Sequence, residues 1–323
     1  MGRYIAGRIV QALFLLLGVS VLTFIIIEMA PGSFAEMVGE SIDATVDDRA
    51  RLAALYGFDQ PIHIRYWRWL QQVMVGNFGS SLASGRPVLE MIAERLPATI
   101  FLNFISIIII YVISLPIGII SAVKQYSWFD HVMTFTAFVG QALPAFFFAL
   151  VLIYVVALNV PFIEIAGMAT IGIEYGEVPF LTWLLDRVRY IILPLAVIIL
   201  GGLAGLVRFM RASMLDEINQ DYVRTARAKG LSERVVIFKH AFRNSLLPII
   251  TQLGFTFSVL LSGSVIIESI FAWPGVGLLA IQATFTRDWP VIMAFNMIGG
   301  VMLVLGMLIA DIMYVVIDPR IKY

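Results

Sequence analysis

The sequence predicts an all-α integral membrane protein of six transmembrane helices, with a long extracytoplasmic segment after helix 1 and a helical cytoplasmic loop between helices 4 and 5. Three observations predict it. Of 323 residues, 60% are hydrophobic and 14% charged, against roughly 25% charged and about 45–50% apolar in soluble domains. Uncharged runs long enough to cross ~30 Å of hydrocarbon occupy 9–27, 96–123, 132–163, 190–207, 244–267 and 289–310. Lys and Arg are shared unevenly between the loops that these runs define.

The first run is longer than the ~7–15 apolar residues of a cleavable signal and has no small-x-small site after it, so it reads as a retained helix. The second excludes a barrel strand, because Ile105 to Ile120 is almost continuously apolar instead of alternating. With the N-terminus inside, thirteen basic residues fall in cytoplasmic loops (Arg3, Arg8, Lys124, eight from Arg208 to Arg243, Arg320, Lys322) and three outside (Arg187, Arg189, Arg287). The positive-inside rule then places both termini in the cytoplasm. Residues 269–286 are also uncharged, but Trp273-Pro274-Gly275 and Gly277 break them near their start, so they read as a re-entrant or interfacial helix.

These limits give residues 1–30 as the N-terminus and helix 1, 31–95 as an extracytoplasmic segment, and 96–323 as a transmembrane core (helices 2–6) with a cytoplasmic loop at 208–246. The external segment holds an acidic stretch from Glu36 to Asp48, helical spacing over 51–56, a turn at Gly57-Phe58-Asp59-Gln60-Pro61, and the aromatic-basic patch Tyr66-Trp67-Arg68-Trp69. Two readings stand: a membrane-surface helix and loop, or an ordered element that touches a partner or the substrate entrance. A second external segment, 159–189, carries Glu164, Glu174, Glu177 and Asp186, either as a partner contact or as a solvated acidic loop.

In the cytoplasmic loop, residues 212–229 fit one helix stopped by a glycine cap at Gly230. Ser232 then caps a second helix with Glu233 in its first turn. Leu231, Val235, Phe238 and Phe242 form one apolar stripe, with Arg234, Lys239 and Arg243 on other faces. The loop is either an interfacial anchor or a docking surface for a soluble protein.

Much chemistry is excluded. Lys plus Arg and Asp plus Glu are 22 each, so bulk charge does not favour nucleic acid. There is no cysteine, no Gly-Lys pair for a phosphate loop, and no HExxH; His63, His131 and His240 lack ligand spacing. Ser121-x-x-Lys124 lacks its companion motifs, and Ser20 has no histidine base in any span. Metal and catalytic sites are therefore not expected. Intramembrane carboxylates are functional candidates by default: Glu268, and Asp311, which can instead pair with Arg320. Ser258, Ser262, Ser264 and Glu268 are the candidate translocation path, although small residues also permit close packing, as expected for Gly201-x-x-x-Gly205.

Tyr222-Val-Arg-Thr-Ala-Arg-Ala-Lys-Gly-Leu231 followed by His240-Ala-Phe-Arg-Asn-Ser-Leu-Leu-Pro248 resembles the cytoplasmic signature of ABC importer permeases, in their dipeptide/oligopeptide/nickel branch. Ser84-Gly-Arg-Pro-Val88, Glu94-Arg-Leu-Pro-Ala-Thr99, Glu268 through Gly277, Arg287-Asp-Trp-Pro-Val291 and Asp318-Pro-Arg-Ile-Lys-Tyr323 are similar to further blocks of that branch. Where the broader signature has Glu-Ala-Ala, this chain has Arg224-Thr225-Ala226. The resemblance implies that Tyr222, Arg224, Thr225, Ala226, Ala228, Lys229, Gly230 and Leu231 form a coupling helix on an ATPase. It further implies a second homologous permease, two ABC ATPase subunits that bind ATP and Mg, an extracytoplasmic solute-binding protein, and a bacterial or archaeal plasma (inner) membrane. No cofactor is expected in this chain and no enzyme activity of its own. Peptides are the expected cargo; oligosaccharides or nickel chelates are the alternative. An ion-coupled carrier using Glu268 or Asp311 is the competing class.

Overall fold

The computed structural model describes residues 2–29 and 60–317. The acidic stretch, the 51–56 spacing, most of the 57–61 turn and the ending at 318–323 lie outside the described residues, as do the side chains of Ser258 and Ser262. Among the described residues the chain is helical with no β-strand, only the isolated bridges Ser80–Pro87 and Tyr175–Val178. The helices are α1 (Gly2–Met29), α2 (Ile62–Met74), α3 (Val88–Val123), α4 (Trp128–Ala142), α5 (Ala145–Leu152), α6 (Phe180–Ile218), α7 (Asp221–Ala228), α8 (Phe242–Ser262), α9 (Val265–Ile270), α10 (Val276–Phe285) and α11 (Trp289–Ile317). A short turn, Glu233–Val235, runs through π-helical Val236–Ala241 into α8.

Four helical stretches are long and apolar enough to cross a membrane: Val10–Met29, Val88–Val123, Phe180–Ile218 and Trp289–Ile309. A fifth arises if Trp128–Ala142 and Ala145–Ala157 act as one span, but the pair is bent by 100°. The sequence reading of 132–163 as one continuous span therefore needs correction. Pro144 has no N–H to continue the helix and drives Leu143 to φ −81°, ψ 124°. The expected fifth run, 244–267, is helical through Ser262 and breaks at Gly263, which has φ +69°.

The chain divides into two compact units, residues 1–95 with 279–304 and residues 96–278 with 305–322. In the first, α2 lays Tyr66 and Trp69 on Phe24 of α1, with ring centroids 5.5 and 5.7 Å away. Arg65 pairs with Glu28 at 2.5 Å and the Tyr66 hydroxyl meets Ser20 at 2.8 Å. This amphipathic packing explains the Tyr-Trp-Arg-Trp patch: Tyr66 and Trp69 turn inward, Trp67 and Arg68 outward. Asp288, nearly buried, organises the turn at 81–83 by accepting from Ser81 Oγ at 2.5 Å and Leu82 N at 3.0 Å.

In the second unit, α6 is the axis. At 1.5 Å per residue its 39 residues span ~58 Å, well beyond a hydrocarbon core. Glycines set its close contacts: a Cβ on Gly118 of α3 would stand 2.6 Å from Met210 Cβ, and one on Gly202 would strike the Ile110 side chain. Gly201 and Gly205, expected to be the packing pair, have open space where a Cβ would point. The packing glycine is Gly202, one residue and ~100° around the helix. Asp130 of α4 holds α6 by a two-point bond, taking Arg211 Nε at 2.6 Å and Nη2 at 2.7 Å.

Candidate functional site

The 221–241 element grows out of the sequence between α6 and α8 in two steps. Helix α6 stops at Asn219 and α7 restarts after Gln220, so the single 212–229 helix expected from the sequence is two. Gln220 is extended (φ −70°, ψ 149°), and its carbonyl takes the first N–H groups of α7, Val223 at 3.0 Å and Arg224 at 3.2 Å. Gly230 ends the helix at φ +76°, the left-handed cap expected of it. The Ser232 side chain makes no cap hydrogen bond. Its carbonyl accepts from Val235 and Val236, and Glu233 instead takes Arg227 at 2.8 Å across the turn.

Val223 and Ala226 fill a core with Met210, Met214, Val236, Ala241, Ile119 and Ala122. Val223 is fully buried and Ala226 is 4% exposed, whereas Tyr222, Arg224, Thr225, Ala228, Lys229, Gly230 and Leu231 are exposed. Ala226 therefore anchors the helix instead of presenting itself. The Tyr222 phenol donates to Glu217, and partial burial with that partner pushes it up to about 12. The predicted stripe stays outward at Leu231, Val235 and Phe238, with Phe238 meeting Phe242 edge to face at 6.3 Å. The result is a helix-turn whose inner side is packed into the core and whose outer side is exposed.

Glu268 occupies a different environment from the one a polar path would give it. It is 0% exposed and its carboxyl is enclosed by its own turn. Thr99 Oγ1 donates to it at 3.0 Å and Leu278 N at 3.0 Å, while Val276 N donates to Thr99 Oγ1 at 2.8 Å. A Cβ on Gly263 would lie 2.6 Å from Oε1, one on Gly277 2.9 Å from Oε2, and one on Gly275 would collide with the same carboxyl. The glycines of Trp273-Pro-Gly-Val-Gly277 are thus required by the approach of backbone to a carboxyl, not by the turn alone. Trp273 closes the turn, donating from Nε1 to the Ala98 carbonyl at 2.9 Å. Ser264 is half-buried at the start of α9, and its carbonyl accepts from Glu268 N at 2.8 Å. Asp311 is 9% exposed; its expected partner Arg320 lies outside the described residues.

The acidic residues of 159–189 separate into two kinds. Asp186 is buried, accepting from Thr170 N at 3.0 Å and Oγ1 at 2.6 Å, and Glu164 pairs with Arg189. Glu174 and Glu177 are exposed. Sequence reasoning gave no role to the Asp130–Arg211 and Asp288–Ser81 pairings, which join residues 81 and 207 positions apart and leave no local pattern. Among the described residues no group of three His, Cys, Asp or Glu is arranged to hold a metal ion.

Several helices long and apolar enough to cross a membrane define a multi-pass membrane protein. Residues 114–323 match the family described as binding-protein-dependent transport system inner membrane component, and residues 1–103 match that family's N-terminal region; the chain belongs to this family of ABC importer permease subunits. It is 42% identical over 325 residues to the oligopeptide transport system permease protein AppB of Bacillus subtilis (strain 168), covering 100% of both chains. It is 38% identical to a putative peptide permease protein of Brucella suis biovar 1 and 34% identical to the glutathione transport system permease protein GsiC of Salmonella paratyphi A, covering 99% of each chain in both cases. Permeases of this family work with ATPase and binding-protein partners and are not themselves catalytic.

Proposed function

We propose that this chain is one of two homologous permeases in an importer of di- and oligopeptides, with two ATPase subunits that bind ATP and Mg on the cytoplasmic side. The peptide assignment is supported by full-length similarity to permeases named for oligopeptides, peptides and glutathione. Both termini are cytoplasmic on this reading, residues 31–95 are extracytoplasmic, and 96–323 form the translocating core. The coupling assignment is carried by one observation: the outer face of α7 and its turn is exposed while Val223 and Ala226 pin the inner face to α6. A push on Arg224, Thr225, Ala228, Lys229, Gly230 or Leu231 is then passed to α6 as a rigid-body motion, because packed cores switch between arrangements instead of deforming.

The test is to extract the tagged chain gently from its native membrane, identify what copurifies, and assay peptide uptake by the complex and by Gly230→Asp. Copurifying ATPases and a second permease, with uptake lost in the variant while ATP hydrolysis continues, is the expected result. A chain that emerges alone from several mild detergents, or normal uptake by the variant, overturns the coupling assignment. An ion-coupled mechanism through Glu268 gains no support from a carboxyl enclosed by its own turn.

A further inference from the structure

Within the second unit, α3, α6 and α8 enclose a cavity of about 350 Å³ that the coupling element does not use. Its lining includes Tyr111, Gly201, Gly205, Phe209, Gln252 and Thr256, and no charged side chain is among the described lining residues. At this volume it falls at the small end of ligand pockets, roughly 300–1,000 Å³, enough for a short stretch of a linear molecule.

Its polar groups are the Tyr111 and Thr256 hydroxyls and the Gln252 amide. The Tyr111 hydroxyl lies beside the Thr256 side chain and makes no hydrogen bond of standard geometry among the described residues. The Thr256 hydroxyl is committed to the Gln252 carbonyl at 2.9 Å. Gln252 sits mid-way along α8 with its side chain exposed. An uncompensated amide facing hydrocarbon is costly, so this face is turned to a wet passage or to protein. The floor is open for the same reason that Gly201 and Gly205 failed as packing glycines: a Cβ at either position meets nothing within 4 Å.

We infer that this cavity is a station on the translocation path where Tyr111 and Gln252 hold the backbone amides of a passing peptide, with Gly201 and Gly205 leaving room for whatever side chain it carries. The inference rests on the peptide reading proposed above. One N–H donor and one C=O acceptor per residue are what peptides of any sequence have in common. A phenol and a carboxamide can each both donate and accept, so they match that pair. An uncharged lining neither favours nor rejects acidic or basic side chains.

The test uses the complete importer in proteoliposomes, with uptake normalised to the occupancy of its binding protein. The probes are tetra-alanine, a tetrapeptide with Lys and Glu side chains, and tetra-alanine methylated on its backbone nitrogens. Tyr111→Phe and Gln252→Leu should each slow both unmethylated peptides by about fivefold, the worth of one neutral hydrogen bond, and by the same factor for each. They should leave the already slow methylated peptide unchanged. Gly205→Leu, whose Cβ meets nothing within 4 Å and whose side chain projects from there into the cavity, should block all three while ATP hydrolysis persists. Wild-type uptake of tetra-alanine with all three variants as fast overturns the inference and leaves the importer reading intact. A wild-type complex that carries a neutral oligosaccharide or a nickel chelate and no peptide overturns the peptide reading, and this inference with it.

Discussion

Removing the Glu268 side chain separates a structural carboxyl from a transporting one. In Glu268→Ala, the buried Leu278 N–H loses its acceptor, which costs about 1–3 kcal/mol for an unsatisfied buried group. The Thr99 hydroxyl loses its own acceptor, about 1 kcal/mol more, and the void left among Gly263, Gly275 and Gly277 adds ~1 kcal/mol. The sum is about 3–5 kcal/mol. Glu268→Gln keeps the volume and can turn its carbonyl to Leu278 N–H and its amide to Thr99. The Thr99 oxygen already accepts from Val276 N, and its own proton then has no acceptor, so this variant costs about 1–2 kcal/mol. Thermal unfolding of the assembled importer in lipid nanodiscs should rank wild type above Gln and Gln above Ala, and uptake per folded complex should be retained by the Gln variant. An Ala variant that melts with wild type while uptake vanishes would refute the reasoning and return Glu268 to the translocation path.

Gly202→Ala drives a methyl group into Ile110 and should destabilise the second unit by about 1–3 kcal/mol; Gly205→Ala, three residues on, should be near neutral in the same melting assay. Asp130→Asn removes the charge from the bond to Arg211, which is partly exposed, so a loss of about 2 kcal/mol is expected, below the ~3–5 kcal/mol of a fully buried pair. The Arg211 guanidinium holds the Asp130 carboxyl below its ordinary value of 3.8. This stabilisation is therefore full above that value and is lost as pH falls through the lower folded one; the gap in melting temperature between wild type and Asp130→Asn should be constant at neutral pH and narrow as pH falls below 3.8. Val223→Asp places a charge in the core beneath α7 and should abolish coupling even though position 223 faces away from the docking surface, read as ATP hydrolysis without uptake.

The all-α membrane class, the long apolar helices and the glycine cap at Gly230 were legible in the sequence because each is written locally. Apolar runs, a Gly at a helix end and a block of signature residues need no knowledge of what lies across the fold. The bend at Leu143–Pro144 was legible too, since proline and its predecessor carry the signal, but a long apolar run masked it. What was not legible depends on partners distant in the chain. Nothing around Gly201, Gly202 and Gly205 says which of them faces Ile110, because a one-residue offset turns the helix by ~100°. Ala226 and Ala228 look alike in the signature, yet two residues on a helix point to different sides, and Ala226 joins the core that holds Met214 and Val236 while Ala228 is exposed.

The acidic residues carry the same lesson into mechanism. Asp130, Asp186, Glu268 and Asp288 are each at most 3% exposed, and each accepts hydrogen bonds from side chains or backbone N–H groups of a neighbouring turn. In an apolar protein a carboxylate is the strongest acceptor available for the N–H groups that irregular backbone leaves over. The breaks at 126–127, 167–170, 271–277 and 81–83 are stabilised in this way, which lets the chain leave helical geometry without stranding donors. The polar groups of the cavity are neutral ones, Tyr111, Gln252 and Thr256, with no charged lining residue among those described. On the peptide reading proposed above, that division serves a cargo of either charge, with charge confined to holding the turns and neutral groups left to meet the peptide.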